Sequence, residues 1–147
     1  MNINFAGAAD APAVVELLLA QLAEHAIDTP RPAVEHAVAG VLAEPRRGRI
    51  LVASEGERLV GVAYVSFVWA LEHGGHSAWL EELYVRPEER SRGVGSALLA
   101  AALDFARADG CAAVDLEVEE EHVRAANLYA RNGFVKHTRA RWVRRLR

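Results

Sequence analysis

A short segment near the middle of this 147-residue chain, Arg90 to Ser96, combines arginine, glycine and serine. Gly93 and Gly95 lack a Cβ atom, so a ligand can approach the backbone closely at both positions. Ser96 adds a hydroxyl donor, and the two arginines of the segment add positive charge. These residue types favour a binding site for a phosphate or a pyrophosphate. An ordinary solvated turn is the alternative, because glycine and polar residues are common in turns.

The elements on either side of this segment support the phosphate site. Trp79 to Val85 alternates and is rich in aromatic and β-branched residues, which predicts a strand that Pro87 ends. After the loop, apolar residues recur at spacings of three and four, which predicts a helix; they are Val94, Leu98, Ala101, Ala102 and Phe105. The first turn of a helix has unpaired N–H groups and a partial positive charge, so it attracts anions. We therefore expect the anion where the strand passes into the helix.

Two common phosphate loops do not fit this segment. A P-loop requires Lys-Ser or Lys-Thr after its second glycine, whereas Ser96 and Ala97 follow Gly95. A dinucleotide-binding fingerprint requires a small residue where this chain has Leu98. The order strand, Arg-x-x-Gly-x-Gly, helix resembles instead the coenzyme-A-binding motif of the GNAT superfamily of N-acetyltransferases.

The resemblance implies that acetyl-CoA is a co-substrate, with its pyrophosphate on the loop and its pantetheine arm paired with the preceding strand. It implies no metal. A backbone N–H between Leu83 and Val85 would hold the oxyanion, because negative charge develops on the thioester oxygen. The residues expected to bind the coenzyme are Leu83, Val85, Arg90, Ser91, Arg92, Gly93, Val94, Gly95, Ser96 and, from a second motif, Asn127.

The second motif, Ala125 to Phe134, resembles the GNAT helix that carries asparagine and tyrosine before a Gly-Phe turn. The resemblance makes Tyr129 the general acid for the leaving thiolate. The family often has asparagine seven residues before this tyrosine, where His122 stands here. Whether Asn127 or His122 meets the coenzyme is left open. From its sequence context alone, Tyr129 is a half-buried aromatic residue of an amphipathic helix.

Two adjacent carboxylates, Glu81 and Glu82, lie on the strand before the loop. An alkyl amine is neutral in only about one molecule in a thousand at pH 7.4, so its acetylation needs a group that accepts a proton. By resemblance, Glu81 is the catalytic base and Glu82 contacts the substrate. Strand alternation sends the two to opposite faces unless a bulge intervenes. The alternative is a pair of carboxylates on a solvated strand face.

The predicted reaction is the transfer of an acetyl group from acetyl-CoA to a primary amine of a small molecule, through a tetrahedral intermediate. The stretch Leu80 to Val85 most resembles the diamine N-acetyltransferase group. The alternatives are acetylation of a protein N-terminus or lysine, and a non-catalytic acyl-CoA-binding module.

Length and composition predict a single domain, residues 1–147, with its own core. The net charge of −3 argues against a strongly basic nucleic-acid binder. The apolar run near Val14 is too short to span a membrane, so we expect a cytoplasmic protein, and family habit implies a homodimer. One cysteine, Cys111, excludes an internal disulfide.

The element pattern predicts an α/β fold with one mixed, largely antiparallel sheet, a meander followed by βαβ, and helices on both faces. Expected strands cover residues 2–6, 49–54, 59–69, 79–85, 113–118 and 134–145. Expected helices cover residues 10–26, 33–43, 93–109 and 121–131.

Two further patterns favour structural interpretations. The last predicted strand would send several arginines to one face, which fits a soluble outer face better than a nucleic-acid site. The spacing of His73 and His76 suits a metal, but no third ligand is close in sequence, so a glycine turn is favoured.

Overall fold

An open sheet of five strands lies within residues Met1–Glu117. The computed structural model describes residues 1–147 and divides into this unit and a second one, Val118–Arg147. The strands are β1 (Asn2–Phe5), β2 (Gly48–Glu55), β3 (Arg58–Ala70), β4 (Gly75–Val85) and β5 (Val114–Leu116). The longer helices are α1 (Ala11–Glu24), α2 (Arg31–Ala43), α3 (Val94–Ala108) and α4 (Val123–Arg131).

The strands lie side by side in chain order, and the first four pair antiparallel. β5 pairs parallel to β4 after the crossover through α3. This is the mixed, largely antiparallel sheet that the sequence predicts, with the meander first and the βαβ unit second.

Helices cover both faces of the sheet, as predicted. On one face, Val62 and Tyr84 belong to a buried cluster with residues of α1 and α2. On the other face, a Cβ atom added at Gly61 would lie 2.9 Å from Leu98 Cδ1 of α3. Leu98 is fully buried, which stabilises the fold by about 2 kcal/mol. The two faces therefore alternate along β3, and only glycine at position 61 lets α3 pack closely.

β4 begins at Gly75, earlier than the predicted start at Trp79. The expected turn around Gly74 is a short 3₁₀ turn, Leu71–His73, after which Gly75 already pairs with Ala70. None of the helices combines the length and the apolar character needed to cross a bilayer.

The second unit contains α4 and the C-terminal segment. Helix α4 ends at Arg131, Asn132 follows as its C-cap, and Gly133 turns the chain with φ of 86°. The strand predicted for residues 134–145 is wrong, because this segment forms no strand. Its alternating pattern is suitable for a strand, but a strand also needs a hydrogen-bonded neighbour. Without one, Trp142 remains 92% exposed.

Candidate active site

A β-bulge at Glu81 sets the position of both strand carboxylates. Tyr64 of β3 pairs with Glu82, and the next residue of β3, Val65, pairs with Leu80, which leaves Glu81 as the extra residue. Ser66 Oγ donates a 2.7 Å hydrogen bond to Glu81 Oε1. Ser66 and Tyr64 are two residues apart on β3 and share a face, so the bulge brings Glu81 to the face that carries Glu82.

Glu82 faces the end of α1. Burial raises the pKa of its carboxyl to about 6, and the charge of Glu81 adds to this rise. The charge of His25 and the nearby Gln21 amide act in the opposite direction and lower this pKa. A carboxyl with a pKa near 6 is ionised at neutral pH and can still take up a proton, which suits a general base.

The edge of β4 beyond Leu80 is open on the side away from β3. β5 pairs only with residues 78, 79 and 80 of β4, whereas β3 pairs with β4 from Gly75 to Val85 except at Glu81. β5 ends at Leu116, so β4 from Glu81 to Val85 has no strand neighbour on that side. Backbone groups at such an edge can pair with an extended ligand. Leu83 and Val85, predicted to bind the coenzyme, both lie in this open stretch.

The open edge of β4 leads through a short 3₁₀ turn, Pro87–Glu89, into an exposed loop before α3. Ser91 and Gly93 adopt φ of 65° and 84°. Gly93 precedes the first residue of α3, and no side chain caps the helix there. A Cβ atom added at Gly93 would meet no atom within 4 Å, so the space above this backbone is free. Uncapped N–H groups beside left-handed residues form a concave site for an anion.

Both loop arginines have carboxylate partners. Arg90 Nη2 donates to both oxygens of Glu24, at 2.7 and 2.9 Å, and its Nε donates to the Val85 carbonyl at 2.9 Å. Arg92 Nη1 donates to Glu89 Oε2 at 2.7 Å. Arg90 thus connects the loop to the end of α1 and to the end of β4, a role that the sequence analysis did not find. Its predicted contact with a phosphate stays a prediction.

Tyr129, Asn127 and His122 lie in the second unit, around α4. The Tyr129 ring packs edge-on against Phe134 with 5.7 Å between the ring centroids. The Phe134 N–H also donates to the Tyr129 carbonyl, at 3.1 Å. The Gly-Phe turn therefore holds the tyrosine in place. The roles expected for these three residues in coenzyme binding and catalysis stay predictions.

The two histidines of the H-x-x-H spacing bind different aspartates. His73 Nε2 lies 2.8 Å from Asp115 Oδ2, and His76 Nε2 lies 2.7 Å from Asp109 Oδ2. Cys111 lies near the second pair, and burial raises the pKa of its thiol. This region also borders an open cleft of about 390 Å³. We do not assign the chemistry to the cleft, because it contains neither the carboxylate pair nor the uncapped helix.

Residues 12–134 match the family model described as acetyltransferase (GNAT) family. This chain therefore belongs to the GNAT acetyltransferase family.

Named relatives differ in what they act on. An uncharacterized N-acetyltransferase, YhfO of Bacillus subtilis, is 30% identical over 60% of this chain and 60% of its own length. An aminoglycoside N(6')-acetyltransferase type 1 of Klebsiella aerogenes is 38% identical over 74% of this chain and 72% of its length. A thialysine N-epsilon-acetyltransferase of Mus musculus is 30% identical over 52% of this chain and 44% of its length. The chain thus spans less than two thirds of the first and third relatives.

Solved structures share the fold. A putative acetyltransferase from Arthrobacter sp. FB24 is 30% identical, with a TM-score of 0.83 over 99% of this chain and 96% of that one. An aminoglycoside N-acetyltransferase in complex with CoA is 20% identical, with a TM-score of 0.85 over 99% of this chain and 94% of that one.

Proposed function

We propose that this protein transfers an acetyl group from acetyl-CoA to a primary amine of a small molecule. One observation carries the proposal: the open edge of β4 runs continuously from the carboxylate pair to the uncapped N-terminus of α3. We call this stretch the path. An extended arm with a thioester at one end and a diphosphate at the other matches both ends of this path. The solved relative in complex with CoA supports the choice of coenzyme.

The coenzyme would be held mainly by backbone groups. The N–H groups at the start of α3, around Gly93 and Gly95, would bind the diphosphate, because no side chain caps this helix and its first turn carries the positive end of the helix dipole. Ser96 would add its hydroxyl. Leu83 and Val85 would pair with the amides of the arm through their backbone, and an N–H of this stretch would stabilise the oxyanion.

Within the carboxylate pair, we propose Glu82 as the base, in place of Glu81. Glu82 is the half-buried member, and burial raises the pKa of its carboxyl towards neutrality. Glu81 is exposed and accepts a hydrogen bond from Ser66, so it suits a role in attracting the ammonium group. Glu82 would accept the proton of the ammonium, and the nitrogen lone pair would attack the acetyl carbon. Tyr129 would then protonate the leaving thiolate as the C–S bond breaks, and it would regain a proton from the nitrogen, which loses one as the amide forms.

A small cationic amine is the acceptor class we favour. Two carboxylates on one face attract positive charge, and the named relatives include enzymes for an aminoglycoside and for thialysine. We further propose that the protein acts in the cytoplasm and that it is a homodimer. Light scattering in solution would test the homodimer.

The test is a thiol-release assay with acetyl-CoA and a panel of polyamines, amino acids and aminoglycosides. We expect turnover with at least one amine, and a loss of about 100-fold or more in Glu82→Gln. The matched control is Glu81→Gln, which keeps Glu82 and should lose less. Coenzyme binding without turnover of any amine or peptide would indicate a non-catalytic module. Turnover of peptides alone would move the acceptor class to proteins.

A further inference from the structure

A histidine, an aspartate and the cysteine of this chain meet outside the proposed active site. They are His76 in β4, Asp109 at the C-cap of α3, and Cys111 in the segment that leads to β5. His76 Nε2 lies 2.7 Å from Asp109 Oδ2, and one ligand atom of each of the three residues lies within 4.8 Å of the others. An imidazole nitrogen, a carboxylate oxygen and a sulfur atom at these distances can bind one ion together.

The fold holds these three side chains close to one another. The Ala112 N–H donates to the His76 carbonyl at 2.9 Å, and the Cys111 N–H donates to the Ala106 carbonyl of α3 at 3.0 Å. The Phe67 ring packs against the His76 imidazole, with 4.8 Å between the ring centroids. The donors therefore need little rearrangement to surround an ion.

The types of donor favour zinc. Thiolate and imidazole ligands select zinc over magnesium and calcium, which prefer oxygen ligands only. In a tetrahedral zinc site, bonds of about 2.0–2.3 Å place neighbouring ligand atoms about 3.3–3.8 Å apart. The 2.7 Å contact between His76 and Asp109 would have to lengthen by about 0.6 Å, which small side-chain rotations can supply.

We propose that His76, Asp109 and Cys111 bind a Zn²⁺ ion, with a water molecule as the fourth ligand. His76 and Asp109 border the open cleft of about 390 Å³, so solvent can reach the fourth position. The thiol releases its proton to solvent when the sulfur coordinates the ion. Burial and the charge of Asp109 raise the pKa of the free thiol, which argues against a reactive nucleophile at this position. A divalent cation would offset the charge of Asp109 and favour the thiolate.

The ion would connect the first residues of β4 to the end of α3. Helix α3 has 15 residues and is about 22 Å long, so the ion would lie at the opposite end of this helix from the proposed diphosphate loop. We therefore expect zinc to stabilise the fold rather than to take part in acetyl transfer. The inference does not rest on the proposed function.

A second histidine cluster in the same unit supplies a matched control. Glu72, His73 and Asp115 also bring three ligand atoms within 4.8 Å of one another, but two of these are carboxylate oxygens and none is sulfur. His73 lies 2.8 Å from its aspartate, much as His76 does from Asp109. His73→Gln therefore removes an equivalent histidine without touching the proposed site.

The direct test is a titration with Co²⁺, followed by absorption spectroscopy, of protein that carries no histidine tag and is kept reduced with a phosphine. The chain has one cysteine, so a cobalt–thiolate band can come only from Cys111. We expect this band to saturate at one equivalent, to disappear when Zn²⁺ displaces the cobalt, and to be absent in Cys111→Ser. Cobalt binding without the band, or no binding of either metal, would overturn the proposal.

Calorimetric titration with Zn²⁺ distinguishes the two clusters. Cys111→Ser and His76→Gln should each weaken zinc binding about 100-fold, whereas His73→Gln should leave it unchanged. Zinc should also raise the Tm of the unaltered protein and leave that of Cys111→Ser unchanged. Zinc affinity that is unchanged in Cys111→Ser, or that is lost in His73→Gln, would place the ion elsewhere and overturn the proposal.

Discussion

Arg90 binds Glu24 through a forked ion pair, with one guanidinium nitrogen 2.7 and 2.9 Å from the two carboxylate oxygens. The two residues are 66 positions apart and connect the loop before α3 to the last residue of α1. Arg90 also donates to the Val85 carbonyl at the end of β4. One side chain therefore connects a helix, a strand and the loop that we propose as the diphosphate site.

This ion pair predicts that Arg90 and Glu24 act together in coenzyme binding. If Arg90 orders the loop, Arg90→Ala and Glu24→Gln should each weaken binding of acetyl-CoA about fivefold, which corresponds to about 1 kcal/mol. The double variant should be little worse than either single variant, because both remove the same interaction. Calorimetric titration measures all three. If Glu24→Gln binds the coenzyme more tightly, Arg90 instead contacts the phosphate directly.

The left-handed backbone at Gly93 predicts a separate effect on binding and stability. Alanine at this position meets no atom within 4 Å, so Gly93→Ala should cost only the strain of a positive φ, about 1 kcal/mol. Gly56, in the turn between β2 and β3, has φ of 60° and equally free surroundings. Gly56→Ala is therefore the matched control. Both variants should lose similar stability in urea, and only Gly93→Ala should weaken acetyl-CoA binding. Equal binding by the two variants would argue against this loop as the site.

The raised pKa of Glu82 predicts how the stability of the fold depends on pH. Its pKa is raised from an ordinary value of 4.5 to about 6 in the fold, so the folded protein holds the proton more tightly than the unfolded chain. Stability from this group is therefore present below pH 4.5 and is lost as the pH rises to about 6. Above that pH, Glu82→Gln should be more stable than the unaltered protein by up to about 2 kcal/mol.

Urea unfolding at low and neutral pH measures this difference. At pH 4, where Glu82 is mostly protonated in both states, the advantage of Glu82→Gln should nearly vanish. Glu81→Gln is the companion variant, because removing its charge should bring the pKa of Glu82 down. A difference between Glu82→Gln and the unaltered protein that is equal at both pH values would mean that the carboxyl does not titrate as described.

Tyr129 is predicted to act on turnover more than on binding. Tyr129→Phe keeps the ring that packs against Phe134, so the second unit should keep its stability. Loss of the phenol should lower kcat about 100-fold if Tyr129 is the general acid, with little change in acetyl-CoA affinity. Phe134→Leu is the packing control, and its main effect should be a loss of stability of the second unit. Unchanged turnover in Tyr129→Phe would make the tyrosine structural.

Local patterns in the sequence were enough to predict most of the fold. The hairpin pattern of β2 and β3 around Gly56 and the helical spacing after Gly93 predicted these elements to within a few residues. The segment 134–145 was different, because alternation indicates only that a strand is suitable there. Whether a strand forms depends on a hydrogen-bonded neighbour elsewhere in the chain, which the pattern of one segment does not contain.

The candidate site likewise contains residues that sequence motifs reveal and residues that they do not. The loop glycines and the adjacent carboxylates are visible as motifs. Glu24 carries no local signal, because its partner Arg90 lies 66 positions further along the chain. The sequence analysis also allowed for a bulge between the two carboxylates but could not place one. A bulge depends on the register of two strands rather than on the composition of one.

Because Glu81 is an extra residue in β4, the arrangement of the two carboxylates depends on the number of residues in this strand. Deleting Glu81 would restore regular pairing with β3 and would leave every other β4 residue opposite its present partner and on its present face. Two consecutive residues of β4 could then no longer present their side chains on the same face. The shared face of the two carboxylates therefore depends on the extra residue in β4, and not on residue type alone.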